Sequence, residues 1–164
     1  MRIPLILTAA AAAVVGYSIA LVQPMAHGHC QVPCGIYDDP ARITLLREDA
    51  KTIRKAITSM QDIMQGDETP TAFNQATRWV MTKDETATNV QRVVSDYFLT
   101  QRVKAVPVGE AGHDAYLDQL AKMHAILVAA MKCKQTVELS NVDTLDAAIE
   151  AIAPLYVPDH THDD

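Results

Sequence analysis

Apolar residues recur at alternating steps of three and four along most of this chain. From position 43 the series Ile43, Leu46, Ala50, Ile53, Ile57, Met60, Met64 runs without a break. That spacing keeps one face of a 3.6-residue helix apolar and predicts a first helix over about 39–65. Asp38 or Asp39 is placed to cap it, and Pro40 suits its first turn. Gly66 stands where a left-handed exit is cheap. A second helix, about 70–104, carries Phe73, Ala76 and Val80, then Ala87, Val90, Val94 and Tyr97. Lys83 interrupts that stripe at a core step and reads as a subunit contact or a buried ion pair. Val106-Pro107-Val108-Gly109 and Gly112 form a connecting loop. A third helix, about 113–135, carries Leu117, Leu120, His124, Leu127 and Met131. A fourth, about 141–156, carries Val142, Leu145, Ile149, Ile152 and Tyr156, with Ser140 or Asn141 as its cap. Strand signals are weak everywhere. Four helices with short links predict an all-α, antiparallel up-down four-helix bundle.

The first 28 residues follow another pattern. Arg2 is their single charge, and a long apolar run from Ile3 to Val22 leads to Pro24 and Ala26-His27-Gly28. That is the order of a secretory leader with small residues at the cleavage site. A retained membrane anchor is the rival, since about 20 apolar residues span a bilayer. The run includes Pro4, Thr8, Gly16 and Ser18, which favours the leader. The chain therefore divides into a removable segment 1–28 and one domain, 29–164. Export to the periplasm or beyond is expected, with no membrane attachment after processing. Removal by a dedicated peptidase would instead leave the protein in the cytoplasm. The full chain has 14 basic and 20 acidic residues; without Arg2 the basic count is 13 and the net charge −7. An acidic chain with no basic cluster argues against a nucleic-acid partner.

The chemistry gathers at the new N-terminus, His29-Cys30-Gln31-Val32-Pro33-Cys34-Gly35-Ile36-Tyr37. Two cysteines four apart are a weak signal: the loop could hold zinc, close a disulfide or do neither. Pro33 and Gly35 favour a chain that folds back, bringing Cys34 to Cys30. A cut before His29 adds its free amine and imidazole. That amine and the Cys30 peptide nitrogen can then share a chelate ring, and the two sulfurs complete a plane. Such a plane suits nickel(II) or copper(II), whereas zinc prefers a tetrahedron. The His29 imidazole is left for an axial position, and anionic donors stabilise a higher oxidation state.

His-Cys-x-x-Pro-Cys-Gly-x-Tyr at a processed N-terminus resembles the nickel superoxide dismutases, and Ser95-Asp96-Tyr97-Phe98 is similar to that family's Asp-Tyr-Phe segment. The resemblance implies a four-helix bundle assembled as a homohexamer, with one nickel ion per subunit. It implies His29 as amine and imidazole ligand, Cys30 as amide-nitrogen and thiolate ligand, and Cys34 as second thiolate. Tyr37 would stand at the open face of the metal with Tyr97 near it, and Arg78 matches the family's helix arginine. The implied reaction converts two superoxide ions and two protons to dioxygen and hydrogen peroxide. A proton donor could be water held by Tyr37, the His29 amine or a metal-bound thiol. Two positions depart from the family: Gln31 replaces a common Asp, and Thr44 and Leu45 stand where a Glu often holds the axial imidazole, with Glu48 further on. Arg42 and Arg47 could draw in an anion that the overall charge repels.

Other residues have plainer expectations. His124 reads as a core or interface histidine, Cys133 as a small buried residue, and His160 and His162 as part of a solvated tail. Two other functions fit the hook's residues: an exported nickel or copper carrier without turnover, and a thiol–disulfide exchange protein using Cys30 and Cys34.

Overall fold

A computed structural model describes residues 36–157 of the 164. The predicted leader, the hook residues before Ile36 and the tail with His160 and His162 lie outside the described residues. The elements are α1 (Asp39–Met64), α2 (Pro70–Arg92), a π-helical continuation (Val93–Arg102), α3 (His113–Gln135) and α4 (Leu139–Tyr156). No strand occurs among the described residues. α1 packs on α2 and α4, and α3 packs on the same two, which closes a square. Cross-links show the antiparallel order: Arg47 meets Glu150 and Arg54 meets Asp143, so α1 and α4 run oppositely. The expected four-helix bundle is therefore the fold.

One fully buried stripe comes from each of α1 and α4, as the spacing predicts. Ile43, Leu46, Ala50, Ile53 and Ile57 are sealed, and so are Val142, Leu145, Ile149 and Ile152. α2 contributes only from its middle onward, through Ala87 and Val90, and the π segment adds Val94, Tyr97 and Phe98. Phe73 is 76% exposed and Val80 43%, so the first third of the predicted α2 stripe is not core. Along α3 the buried face is Met123, Ile126, Ala129, Ala130 and Cys133. It lies about one residue off the predicted stripe: Leu117 and Met131 are exposed, and His124 faces outward rather than into the core. Apolar residues wrap most of α3, so two stripes were available and packing chose the other.

Lys83 resolves as a buried cation at a helix end. Its Nζ donates to the Cys133 carbonyl at 2.6 Å and the Lys134 carbonyl at 2.7 Å, and pairs with Asp84 at 2.9 Å. The last carbonyls of α3 lack partners within their own helix, and a positive charge there also opposes the helix dipole favourably. Cys133 is fully buried as expected, and burial pushes its thiol up to about 11. That keeps it protonated and inert at neutral pH.

The helix ends differ in detail from expectation. Asp38 occupies the cap position of α1 without a side-chain bond, and Asp39 sends its carboxylate to Tyr97. α1 ends through right-handed Gln65, and Gly66 is not needed in a left-handed conformation. Gly112, at φ +94°, provides the left-handed start of α3. α4 begins two residues early, so Ser140 and Asn141 fall inside its first turn. None of the helices among the described residues is long and apolar enough to cross a membrane.

Candidate active site

The start of α1, the end of the π segment and the end of α4 meet at one end of the bundle. The chain from the hook arrives there through Ile36 and Tyr37, both exposed. Tyr37 is held from two sides. The Arg42 guanidinium, one turn into α1, lies over its ring with Cζ 4.7 Å from the centroid, in cation–π contact. The Tyr97 ring meets it edge-on at 6.0 Å. Tyr97 in turn packs T-shaped on Phe98 at 5.1 Å, and Phe98 packs on Tyr156 of α4 at 4.7 Å. The structure thus brings Tyr37 and Tyr97 together.

The polar half of the cluster centres on Asp39, a residue the sequence reading treated only as a cap. The Tyr97 hydroxyl donates to Asp39 Oδ1, and Arg102 donates to Asp39 Oδ2. The carbonyl of Tyr37 lies 3.3 Å from the same hydroxyl, a secondary contact because a phenol has one proton to give. Burial first, and then the Asp39 carboxylate, push the Tyr97 phenol up to about 12. Burial also raises Tyr156. The unfolded chain releases the tyrosine proton near pH 10 and the folded one near 12. The stability contributed by Tyr97 is therefore complete below about pH 10 and lost as pH rises through about 12.

The π register makes this possible. Its hydrogen bonds skip five residues: the Val103 amide donates to the Phe98 carbonyl at 2.8 Å, and Thr100 and Gln101 side chains reach Ser95 and Asp96 carbonyls. In an α-helix two residues five apart point about 140° away from each other. The wider turn brings position i+5 back toward i, so Tyr97 and Arg102 reach the same carboxylate. π turns concentrate at functional sites in general.

The two candidate cations near the hook have separate fates. Arg47 is tied to Glu150 through two bonds of 2.7 Å, which neutralises it. Arg42 has no carboxylate partner among the described residues, and its buried Nε has no hydrogen-bond acceptor there. The buried Tyr156 hydroxyl also lacks a partner there. Arg78 is exposed on the third turn of α2, roughly 28 Å along the helix from Tyr97, so it does not join this cluster within one chain. Glu48 and Thr44 are exposed on α1 and Leu45 is half-buried. No group of three or more His, Cys, Asp or Glu suited to a metal occurs among the described residues. His29, Cys30 and Cys34 precede them.

A helical bundle with a tyrosine cluster at the end where its first helix begins, in a chain whose sequence carries thiol and imidazole donors just before that helix, defines the class of a small metal-dependent redox protein. The family of nickel-containing superoxide dismutases matches this chain over residues 24–160, and the chain belongs to that family. It is an oxidoreductase that uses nickel to dismutate superoxide. No curated protein and no solved structure gives a significant match, so the family match carries the assignment.

Proposed function

We propose that the nickel ion is held by His29, through amine and imidazole, by Cys30, through amide nitrogen and thiolate, and by Cys34, through its thiolate. The donor set fits the metal: two anionic sulfurs and nitrogen donors suit nickel's preferred plane. The observation that carries the reading is the tyrosine cluster that Tyr37, the last residue of the motif, joins, in a family defined by nickel. Bound there, nickel supplies a one-electron couple between its divalent and trivalent states.

The chain's own residues restrict and order the approach. Tyr37, three residues beyond Cys34 in sequence, presents a half-exposed phenol. Tyr97 stays protonated through the whole physiological range, and its proton is committed to Asp39. Arg42, stacked on Tyr37 with no carboxylate partner among the described residues, offers a local positive charge to an incoming anion against the acidic background. At low salt, Arg42→Gln lowers kcat/KM for superoxide and flattens its ionic-strength dependence. Arg47→Gln does neither, because that charge is already matched.

Residues 1–28 act as a leader that is removed before His29, and the mature protein is exported. Intact mass and elemental analysis of protein from cell fractions test both points together. The expected result is a chain starting at His29 with one nickel, found outside the cytoplasm. A mature cytoplasmic chain points to a dedicated peptidase, and a chain keeping any residue before His29 overturns the ligand set.

The mature protein assembles as a homohexamer. Support comes from the far end of the bundle, where Met64 is 70% exposed and Phe73 76%. These residues line a groove of about 460 Å³ with Ile63, Pro70, Ala72 and Ala76. Val80 and Val137 extend the apolar surface beside it. Monomers rarely leave such a patch uncovered. Sedimentation velocity should show six-chain particles that Phe73→Glu breaks down; a wild-type monomer at assay concentration contradicts the assembly.

A further inference from the structure

We propose that Asp39 is a positioning residue for the dismutation site: it clamps Tyr97 and Arg102 together and, by accepting the Tyr97 proton, fixes the orientation of that hydroxyl beside the Tyr37 backbone. The inference rests on the hook reading above and adds a residue that reading does not contain.

Both carboxylate oxygens of Asp39 are spoken for, one by the Tyr97 hydroxyl and one by Arg102. An ionised carboxylate only accepts, so the bond direction is set: Tyr97 gives its proton toward Asp39 and turns an oxygen lone pair elsewhere. Asp39 lies in the first turn of α1, where a carboxylate is also favoured by the helix dipole. Yet neither Asp38 nor Asp39 is spent on a side-chain cap there. The local use of an acidic helix start has given way to a contact spanning 58 residues to Tyr97 and 63 to Arg102. The π turn supplies the other half of the clamp, since an α-helical Tyr97 and Arg102 would diverge. The hydroxyl that Asp39 holds lies 3.3 Å from the Tyr37 carbonyl, so the clamp sits against the chain segment that precedes α1.

The charged and titratable groups around Tyr97 come from four elements. Tyr37 stands on the entering chain, Asp39 and Arg42 on α1, Arg102 on the π segment and Tyr156 on α4. Asp39 disfavours the phenolate, whereas Arg102 and Arg42 favour it. Removing the two clamp partners must therefore move Tyr97 in opposite directions. General destabilisation does not produce that pattern.

The test uses the mature chain, first without metal and then loaded with nickel. Ultraviolet difference titration, with Tyr97→Phe assigning the signal, follows the Tyr97 phenol. In Asp39→Asn it ionises roughly one pH unit lower than in the parent, and in Arg102→Gln it ionises higher. Asp39→Glu restores the parent behaviour in part. In nickel-loaded protein the alkaline limb of kcat/KM moves in the same two directions. Circular dichroism confirms that each variant keeps its helices. Unmoved titrations, or shifts in the same direction in both variants, overturn the clamp. Opposite titrations with an unmoved alkaline limb overturn its role in dismutation. A parent protein that binds no nickel and consumes no superoxide defeats the hook reading instead, whatever Tyr97 does.

Discussion

Serine in place of Cys30 or Cys34 is expected to abolish nickel uptake and nickel-dependent superoxide turnover in a chain starting at His29. A thiolate is a soft anionic donor at accessible pH, whereas a serine hydroxyl stays protonated. With the proposed ligand set, losing either one leaves too few anionic donors to hold nickel or to stabilise its higher oxidation state. Cys133→Ala is the matched control. That thiol is sealed in the core and its titration is pushed up to about 11, so its loss affects packing only. Elemental analysis and the decay of a superoxide pulse measure both effects. Full activity in Cys34→Ser sinks the ligand set. A trapped mixed disulfide in that variant would instead favour thiol exchange.

Phe98→Ala is expected to give the largest loss of stability outside the hook, about 3–5 kcal/mol. Phe98 is fully buried and is among the largest side chains sealed in the core. It also supports both Tyr97 and Tyr156, so the cavity would undermine the site from below. Equilibrium urea unfolding should show the loss, with Phe98→Leu intermediate. A change below about 1 kcal/mol would mean that the aromatic stack is not the structural base of the site.

The helices whose apolar stripe is narrow could be read directly from the sequence. Ile43 to Ile57 and Val142 to Ile152 are buried at the expected positions. α3 could not, because Leu117, Leu120, Leu127 and Met131 compete with Met123, Ile126, Ala130 and Cys133 for the core at the same spacing. His124, expected on that stripe as a core or interface residue, is exposed and not part of the core. The exposed start of α2 shows a different limit. Phe73 and Val80 are apolar at helical steps, yet none of the described elements covers them.

The site divides in the same way. The hook is a contiguous motif, and its cysteines, proline and glycine carry a recognisable chemistry along nine residues. Tyr97 was legible through its neighbours Asp96 and Phe98. Asp39 and Arg102 were not. Their contact joins positions 63 residues apart and depends on a switch from α to π turns at Val93, for which the sequence offers no signal. Arg42 and Arg47 looked equivalent in sequence. Only the fold shows that Glu150 takes one of them and leaves the other stacked on Tyr37.

The central claim is that this bundle carries a nickel site created when the chain begins at His29. The most direct measurement compares two nickel-treated proteins, one starting at His29 and one retaining Gly28, by superoxide decay and electron paramagnetic resonance. The chain starting at His29 should consume superoxide catalytically and show a rhombic nickel(III) signal, while the longer chain, its amine turned into an amide, does neither. Equal turnover by the two proteins, or a nickel-loaded chain starting at His29 that leaves superoxide untouched, would contradict it.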